Sequence, residues 1–437
     1  MHRVLLIAYF FPPCAEGGVQ RARAFARHLP TYGWQPFVLT VRDDYYLSFT
    51  KDEELVREFA GNLTIVRTNS LEPKGSLAKQ VLANVYGVGT SGKWFDKYVK
   101  GFLRQIYRIL AIPDEHILWL PHALRAGLQM IKEHKINVIV CTTPPHSAGV
   151  IALLLSWLSG RSLVWDVRDD WVGNPLFDPG PWHRRALARF LERRLVNRSA
   201  AVVSVTRESR ESFRSKYPRA APDKFRSLPN GYDAEEISEI RDELEPREHE
   251  RLRIVYTGTL GATRSPAALF EALQEIHNEF GMDDLLRLDF YGYARAEFSD
   301  LSQAMGLANI VKFHGFVSRR ESLRQILMSD VALMIIPEAE GSRIAVPGKL
   351  YEYMGAGRFV LALCPFTSAA ARIVNEYGDG LVVSQYDASA LKAALKQIIS
   401  LHKAHALGGG RPLEYAKKFE RGRQTQVLAS YLDSLHQ

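Results

Sequence analysis

Short apolar runs alternate with amphipathic segments along the chain, in lengths typical of strands and helices. Residues 4–9 form a run of strand length, residues 19–29 place Ala, Phe and Leu at helical spacing, and residues 37–41 form the next run. This order predicts a strand–helix–strand unit with parallel pairing and a right-handed crossover. The loop between the first two segments carries Gly17 and Gly18, and glycines let backbone amides approach a ligand.

The same alternation continues through both halves of the chain. Its further apolar runs are residues 63–66, 138–141, 162–166, 201–205, 253–260, 286–292, 309–316, 331–337, 359–364 and 381–384. Continuous apolar strands of this kind are typical of parallel sheets that are buried on both faces. A nearly all-charged stretch, residues 233–253, separates the two series, and residues 414–435 are predicted to form one closing helix.

The pattern therefore predicts an α/β protein with two Rossmann-like, doubly wound parallel-sheet domains that face each other across a cleft. We place the first domain at residues 1–218, the second at 219–415 and a separate C-terminal helix at 416–437. Open α/β sheets bind ligands beyond the carboxyl ends of their strands. The cleft between the domains is therefore the expected active site.

The composition is that of an ordinary soluble protein, with 437 residues, 46% of them hydrophobic and 24% charged. The three cysteines are far apart, which argues against a disulfide framework and favours a reducing compartment. The N-terminal apolar run leads into prolines instead of a cleavage site. The longest apolar run, residues 148–158, is shorter than the ~20 residues of a spanning helix. We therefore expect a cytoplasmic protein with neither a signal peptide nor a transmembrane segment.

The chain has a net charge of +8, and one short region is strongly basic. Six arginines fall between residues 184 and 198, and Glu192 is the one carboxylate among them. Such a surface fits nucleic acid, anionic lipid or phosphorylated substrates. The alternative is a solvated helix face without a partner.

A proline–glycine–lysine segment after the run at 331–337 is the strongest candidate for chemistry. Pro347 fits the first turn of a helix, and the free amides at Gly348 together with the helix dipole can hold phosphate. Lys349 adds a formal charge, and Glu352, one turn later, can accept two hydrogen bonds from a vicinal diol such as ribose. The alternative is a helix with ordinary surface charges.

A second glycine loop follows the apolar run that begins at residue 253. It contains Gly258 and leads to Arg264 at the start of a predicted helix. A cation at a helix N-terminus is disfavoured by the helix dipole, so a bound anion explains Arg264 better, and a guanidinium binds phosphate bidentately. The alternative is an exposed arginine at the surface.

Three further candidates follow strands of the first half. Arg168 and Asp169 come directly after the run at 162–166, and His146 follows the run at 138–141. The glycine loop at Gly17 and Gly18 is not a G-x-G-x-x-G loop, which argues against a dinucleotide oxidoreductase. The alternatives are a plain turn, a structural ion pair and a structural histidine.

The helix segment, the second glycine loop and the Leu228-Pro229-Asn230-Gly231 turn together resemble glycosyltransferase family 4, which has the GT-B fold. The version here, KLYEYMGAGRFVLAL at 349–363, is similar to a branch found in bacterial polysaccharide and lipopolysaccharide biosynthesis.

In that family the helix glutamate binds the nucleotide ribose, and cations with loop and helix amides clamp the diphosphate. The resemblance therefore implies ribose binding by Glu352. It implies donor binding by a set of neighbours, namely Gly258, Arg264, Gly348 and Lys349. Many members have a histidine close to the transferred sugar near Arg168, so a catalytic role is implied there, with Asp169 and His146 as further candidates. Two positions depart from the family pattern: Ile344 replaces a second glutamate and Thr259 replaces an arginine.

The resemblance implies retaining transfer of a sugar from a nucleotide-diphosphate sugar, with UDP ahead of GDP, to a glycan or polyprenyl-linked acceptor in cell-surface glycan biosynthesis. The nucleotide sugar is a substrate, and we expect no cofactor, no metal requirement and no nucleic-acid partner, since the chain has no D-x-D segment and no H-x-x-x-H pair. The family tail crosses back onto the first domain, and we expect the same of 416–437. The alternatives are a GT-B nucleotide-sugar 2-epimerase and a non-catalytic nucleotide-sugar-binding scaffold.

Residues 93–110 carry lysines and arginines at three- and four-residue steps, with apolar residues on the opposite helical face. This pattern fits a helix lying in the interface of an anionic bilayer, and it adds peripheral attachment to the inner face of the plasma membrane as an expectation. The alternative is a helix that packs its apolar face on its own domain.

Overall fold

The computed structural model describes residues 1–14, 18–46, 59, 61, 63–72, 74, 112–174, 181–245, 251–261, 263–281, 285–407 and 411–435. Its contacts divide the chain into two compact units. Unit 1 comprises Met1–Pro229 with Thr425–Gln437, and unit 2 comprises Asn230–Gln424.

The described residues form two parallel sheets, one in each unit. Unit 1 holds seven strands: β1 (His2–Ile7), β2 (Trp34–Val41), β3 (Thr64–Thr68), β4 (Val138–Thr143), β5 (Ser162–Val167), β6 (Ala201–Ser204) and β7 (Phe225–Ser227). Unit 2 holds six: β8 (Leu252–Thr257), β9 (Leu286–Tyr291), β10 (Val311–Gly315), β11 (Val331–Ile335), β12 (Phe359–Leu363) and β13 (Gly380–Val383). All their pairings are parallel. The prediction of two Rossmann-like parallel-sheet domains is confirmed.

Helices connect these strands in both units. Those that precede residue 230 are α1 (Val19–His28), α2 (Leu120–Glu133), α3 (His146–Ser159), α4 (Trp182–Arg198) and α5 (Arg207–Lys216). Those that follow are α6 (Ala234–Asp242), α7 (Ala267–Phe280), α8 (Ala296–Ala304), α9 (Arg319–Leu327), α10 (Gly348–Gly355), α11 (Ala369–Tyr377), α12 (Ala388–Lys403), α13 (Arg411–Ala416) and α14 (Arg421–Asp433).

Each sheet is buried between two apolar layers because successive strand residues point to opposite faces. In β1, Leu5 and Ile7 pack with residues of α2, α3 and α4, whereas Val4 and Leu6 pack with α1 and α14. In β8, Val255 packs with α6, α9, α10 and α11, while the other face packs with α7 and α12. This arrangement explains the continuous apolar runs in the sequence.

Both sheets reverse their strand order at one point. The orders are β3-β2-β1-β4-β5-β6-β7 in unit 1 and β10-β9-β8-β11-β12-β13 in unit 2. The reversal lies between β1 and β4 in the first sheet and between β8 and β11 in the second. In open α/β sheets, ligands bind beyond the carboxyl ends of the strands at this switch point. We therefore expect a ligand-binding site at the loops that follow these four strands.

The tail differs from the single helix predicted for residues 414–435. α13 and α14 are separated by a short 3-10 turn at Lys417–Phe419. The backbone N–H of Tyr232 donates to the carbonyl of Phe419 (3.1 Å), and the N–H of Arg421 donates to the carbonyl of Tyr232 (2.9 Å). These bonds use backbone groups that a continuous helix would need for itself. Beyond the break, Leu428, Ala429 and Leu432 of α14 lie in an apolar layer of unit 1.

Candidate functional site

The switch point of unit 2 brings most of the predicted donor-binding residues together. Gly258 and Arg264 follow β8, whereas Gly348, Lys349 and Glu352 lie in α10, which follows β11. The ammonium of Lys349 donates to the carbonyl oxygen of Thr257, at the end of β8, over 2.6 Å. It also lies 3.9 Å from the centre of the Tyr256 ring, a distance at which a cation is attracted to the ring face. The two loops therefore share one cationic group.

Gly258 is required by this arrangement. Its φ of +125° is disfavoured for residues with side chains, and a Cβ atom there would lie 2.9 Å from the ammonium of Lys349. The next loop is equally close, because a Cβ on Gly292 would lie 2.3 Å from the carbonyl oxygen of Gly258. The glycine after β8 thus provides the space that the lysine occupies.

The ammonium of Lys349 loses its proton more readily than an ordinary lysine does, because its pKa is lowered. Burial lowers the pKa of its ammonium to about 7, and the neighbouring Arg264 acts in the same direction, while Glu352 opposes it. The side chain is half-buried, and Arg264 is exposed. Two cations therefore lie near each other at the helix start, and an anion bound there would favour the charged form of Lys349.

α10 is fixed to both switch-point strands. The hydroxyl of Tyr353 donates to the carbonyl oxygen of Leu333 in β11 (3.1 Å) and lies 3.2 Å from the hydroxyl of Thr257. At the other end, Pro347 precedes the helix and Gly348 is its exposed first residue. The first amides of a helix have no intrahelical acceptor. The helix therefore presents donors for an anion next to Lys349.

Glu352 is held in an ion-pair network that the sequence did not reveal. Its carboxylate lies 2.8 Å from the guanidinium of Arg319, which also lies 2.9 Å from Glu236. All three side chains are about five-sixths buried. Burial opposes the charge on Arg319, but the two carboxylates outweigh it and raise its pKa. Arg319 thereby orients Glu352.

An exposed aromatic pair, Tyr293 and Phe316, also lies at this end of the sheet and was missed. The residues follow β9 and β10, their ring centres are 5.6 Å apart, and the side chains are 64% and 49% exposed. The carbonyl of Tyr293 accepts a hydrogen bond from the backbone N–H of Leu260 (2.8 Å). A sequence signal exists, since each strand ends in a glycine followed by an aromatic residue.

In unit 1, the predicted residues also gather beyond the carboxyl ends of the strands. A Cβ on Gly18 would lie 2.2 Å from the guanidinium of Arg168. That guanidinium donates to the carbonyl oxygen of Pro144, after β4, and the backbone N–H of Arg168 donates to Thr143 (2.9 Å). Arg168 therefore connects the loops after β1, β4 and β5. Gly17 lies outside the described residues.

His146 is buried, and Asp169 is partly buried. The imidazole of His146 stacks on Trp171, with ring centres 4.7 Å apart. Burial lowers the pKa of His146 to about 4; Arg168 adds to this effect and Asp114 opposes it. Burial raises the pKa of Asp169, and Arg168 counteracts it. At neutral pH, His146 is therefore uncharged and can act as a neutral hydrogen-bonding group.

A buried cluster around the carboxylate of Glu72 lies beside these loops, and the sequence did not predict it. Glu72 accepts hydrogen bonds from the hydroxyls of Tyr9 and Ser70, each over 2.8 Å, and lies 3.0 Å from Nδ1 of His116. Burial opposes protonation of His116, but the bond to Glu72 outweighs it and raises the histidine pKa. No motif marks these residues, because they come from three separate segments.

Two properties of the described part of the chain bear on ligands and membranes. Its His, Cys, Asp and Glu side chains contain no group of three placed to hold a metal ion. None of its helices combines the length and apolarity needed to cross a bilayer. The amphipathic segment 93–110 lies outside the described residues.

Models of two known families match most of the chain. Residues 16–231 match the model of the "glycosyl transferase 4-like domain", and residues 251–400 match that of the "glycosyl transferases group 1". The chain belongs to the glycosyltransferases of the GT-B fold. Comparison of this glycosyltransferase with curated protein sequences found no match.

Solved structures show the same fold over the whole glycosyltransferase chain. The Anabaena protein HepE in complex with UDP superposes with a TM-score of 0.63 at 15% identity, covering 99% of this chain and 100% of that one. A glycosyltransferase from Rickettsia africae gives 0.66 at 13% identity, covering 100% and 99%. WaaG, a glycosyltransferase involved in lipopolysaccharide biosynthesis, gives 0.57 at 14% identity, covering 98% and 99%.

Proposed function

We propose that this glycosyltransferase moves a sugar from a UDP-sugar, with retention of the anomeric configuration, to a lipid-linked or polysaccharide acceptor in cell-surface glycan biosynthesis. The observation that carries the proposal is the switch point of unit 2, where the ammonium of Lys349, the neighbouring Arg264 and the N-terminus of α10 bring positive charge together. The HepE structures with UDP and with UDP-glucose support the nucleotide. The role of WaaG in lipopolysaccharide biosynthesis supports the acceptor class.

In this proposal the donor diphosphate lies over Gly258 and the start of α10. Lys349 turns from the carbonyl of Thr257 to a phosphate oxygen, and Arg264 and the Gly348 amide bind the other oxygens. Glu352, oriented by Arg319, accepts hydrogen bonds from the ribose hydroxyls. Tyr293 and Phe316 offer an exposed face to the rest of the donor.

The bond between the anomeric carbon and the diphosphate oxygen breaks, and the oxygen keeps the electron pair. Lys349, Arg264 and the helix amides stabilise that developing charge, which is the largest contribution that preorganised groups make to such reactions. These groups supply the positive charge without a metal ion. The acceptor hydroxyl forms the new bond on the same face of the sugar, and its proton passes to the departing diphosphate oxygen.

Unit 1 supplies the acceptor side in this proposal. Gly17 and Gly18 approach the acceptor or a phosphate, and Arg168, Asp169 and neutral His146 contact the sugar and the attacking hydroxyl. The enzyme works in the cytoplasm, where segment 93–110 places it on the inner face of the plasma membrane. The tail predicted at 416–437 belongs with the acceptor domain from Thr425 onward. No nucleic acid and no cofactor takes part.

A panel of nucleotide sugars tests the donor assignment by thermal shift and calorimetry. We expect UDP-glucose or another UDP-sugar to stabilise the protein more than GDP-mannose does. Glu352→Ala should lose most of this affinity because the ribose contacts disappear, whereas Glu414→Ala, at an exposed position of α13, should bind as the parent protein does. Unchanged donor binding by Glu352→Ala would overturn the assignment.

Turnover distinguishes transfer from the other activities of this fold. Incubation with a lipid-linked acceptor should give a glycoside of the donor's own anomeric configuration, read by NMR. Conversion of the UDP-sugar to its 2-epimer without an acceptor would show an epimerase instead. Binding without any turnover of the donor would show a scaffold.

A further inference from the structure

The outward face of α4 carries aromatic and cationic side chains together. Trp182 and Phe190 are 74% and 50% exposed, and the neighbouring arginines at these helical steps are exposed as well. We refer to this surface as the α4 face. It comprises Trp182, Arg185, Arg189, Phe190, Arg193 and Arg194.

The one carboxylate of α4 does not neutralise this face. Glu192 is fully buried, and it accepts hydrogen bonds from the backbone N–H of Val172 (2.8 Å), the ammonium of Lys216 (3.0 Å) and the hydroxyl of Tyr217 (2.7 Å). Its charge is therefore compensated inside unit 1. The exposed arginines consequently give the face a positive potential that no acidic residue of the same helix offsets.

The geometry favours a bilayer over a nucleic acid. The guanidinium of Arg194 lies 4.9 Å from the centre of the Phe190 ring, so the ring that a base would stack on already has a cation over it. Single-strand binders combine a basic groove with open aromatic platforms, whereas this face is the outer side of one helix. Aromatic side chains that alternate with arginines are typical of helices lying in a membrane interface.

We propose that the α4 face docks unit 1 onto an anionic lipid bilayer. Trp182 and Phe190 enter the headgroup region, and Arg185, Arg189, Arg193 and Arg194 contact lipid phosphates. The proposal is independent of the donor chemistry assigned to unit 2. It also differs from the attachment expected of segment 93–110, because it uses a helix whose exposure and packing the structure describes.

Co-sedimentation of the full-length protein with vesicles tests the proposal. We expect binding to vesicles of phosphatidylcholine with phosphatidylglycerol, weak binding to phosphatidylcholine alone, and a decline with rising salt. Replacing Arg189, Arg193 and Arg194 with Gln should weaken partitioning on the order of 100-fold, since each surface cation contributes about fivefold. Trp182→Ala combined with Phe190→Ala should weaken it further at high salt, where the apolar contribution dominates.

Matched variants show whether a loss of vesicle binding comes from the α4 face itself or from the lower net charge of the protein. Replacing Arg207, Arg210 and Arg214 of α5 with Gln removes the same charge from the same unit and should leave most of the binding. Phe366→Ala removes an aromatic side chain that is 66% exposed in unit 2 and should have no effect. Lysine at positions 189, 193 and 194 should restore binding, which excludes misfolding as the cause of a loss.

Four results would overturn the proposal. They are no partitioning of the parent protein, equal partitioning to neutral vesicles, an equal loss in the α5 variant, and failure of the lysine variant to bind. Preference for single-stranded DNA over anionic vesicles at the same salt would replace the bilayer with a nucleic acid.

Discussion

The switch points of the two units share one topology but carry different chemistry. In unit 2, Lys349 has a pKa of about 7 and lies beside the exposed Arg264, so positive charge is available to a ligand. In unit 1, Arg168 is turned onto backbone atoms and His146 is buried and neutral. A shared strand order therefore fixes where a ligand can bind, and the loop side chains decide what it can be.

The largest expected effect concerns the network that orients Glu352. Arg319→Met leaves Glu352 and Glu236 without their shared cation, and removing one partner of a buried ion pair costs about 3–5 kcal/mol. Far-UV circular dichroism during urea unfolding should show this loss. All seven tryptophans lie between residues 34 and 182, so tryptophan fluorescence reports unit 1 alone and should keep its midpoint. An equal shift in both signals would show that the units unfold as one.

The second prediction concerns Lys349 and donor affinity. Below pH 7 its ammonium is charged before the donor binds, whereas above pH 7 binding must take up a proton. The dissociation constant for UDP-glucose should therefore rise by up to roughly tenfold per pH unit above pH 7. Calorimetry in buffers of different ionisation enthalpy measures that proton.

The matched variants sharpen this prediction. Lys349→Met should lose the pH slope and reduce kcat/KM on the order of 100-fold. Lys403→Met, at an exposed position of α12, is the control. A slope that survives in Lys349→Met would assign the proton to another group.

The third prediction tests whether the buried imidazole of His146 in unit 1 is uncharged in the folded protein. The pKa of His146 is about 4 in the folded protein but about 6.5 in an unfolded chain. Between these values only the unfolded chain takes up the proton, so stability falls as the pH falls from 6.5 towards 4. The loss between pH 7.5 and 5 should be about 2 kcal/mol.

His146→Phe keeps a ring against Trp171 and removes the titration, so its stability should depend less on pH. The comparison between variant and parent is needed because the pKa of His116 is raised and acts with the opposite sign. Urea unfolding followed by tryptophan fluorescence measures both proteins. Parallel pH profiles would reject the buried neutral imidazole.

The smallest expected effect distinguishes the two loop glycines. Gly18 has a φ of −66°, so Gly18→Ala meets only the flexible end of Arg168 and should cost less than about 1 kcal/mol. Acceptor-dependent turnover should fall because Arg168 moves, while UDP-glucose affinity stays. Gly258→Ala, at positive φ, should cost about 1–3 kcal/mol and lose donor affinity. If the two variants lost stability, turnover and UDP-glucose affinity equally, the two glycine loops would not have separate roles in acceptor and donor binding.

The sequence predicted the fold well because parallel strands leave a direct signal. Both faces of β1 and β8 are buried at residues 4–7 and 254–256, so those residues form continuous apolar runs, and the helices that follow the strands have a helical period. The start of α10 was predictable for a similar reason. Pro347 and Gly348 suit a helix N-terminus whatever the rest of the fold does.

The ion pairs and ring contacts of the site were not predictable in the same way. Arg319 and Glu352 are 33 positions apart, and nothing in either segment requires the other. The break before α14 depends on backbone bonds to Tyr232, in a distant turn. His146 is buried and stacks on Trp171, which is 25 positions away in the sequence. Such contacts are tertiary, so local periodicity does not encode them.

The close approach of Gly292 to the carbonyl of Gly258 constrains how this enzyme can be redesigned. Both residues have φ near +125° and neither has room for a side chain. A substitution at Gly292 would displace the carbonyl of Gly258, and a substitution at Gly258 would displace Lys349. Libraries that seek a new sugar specificity should leave this pair untouched and vary the exposed Tyr293 and Phe316, where diversity does not compromise the backbone beneath.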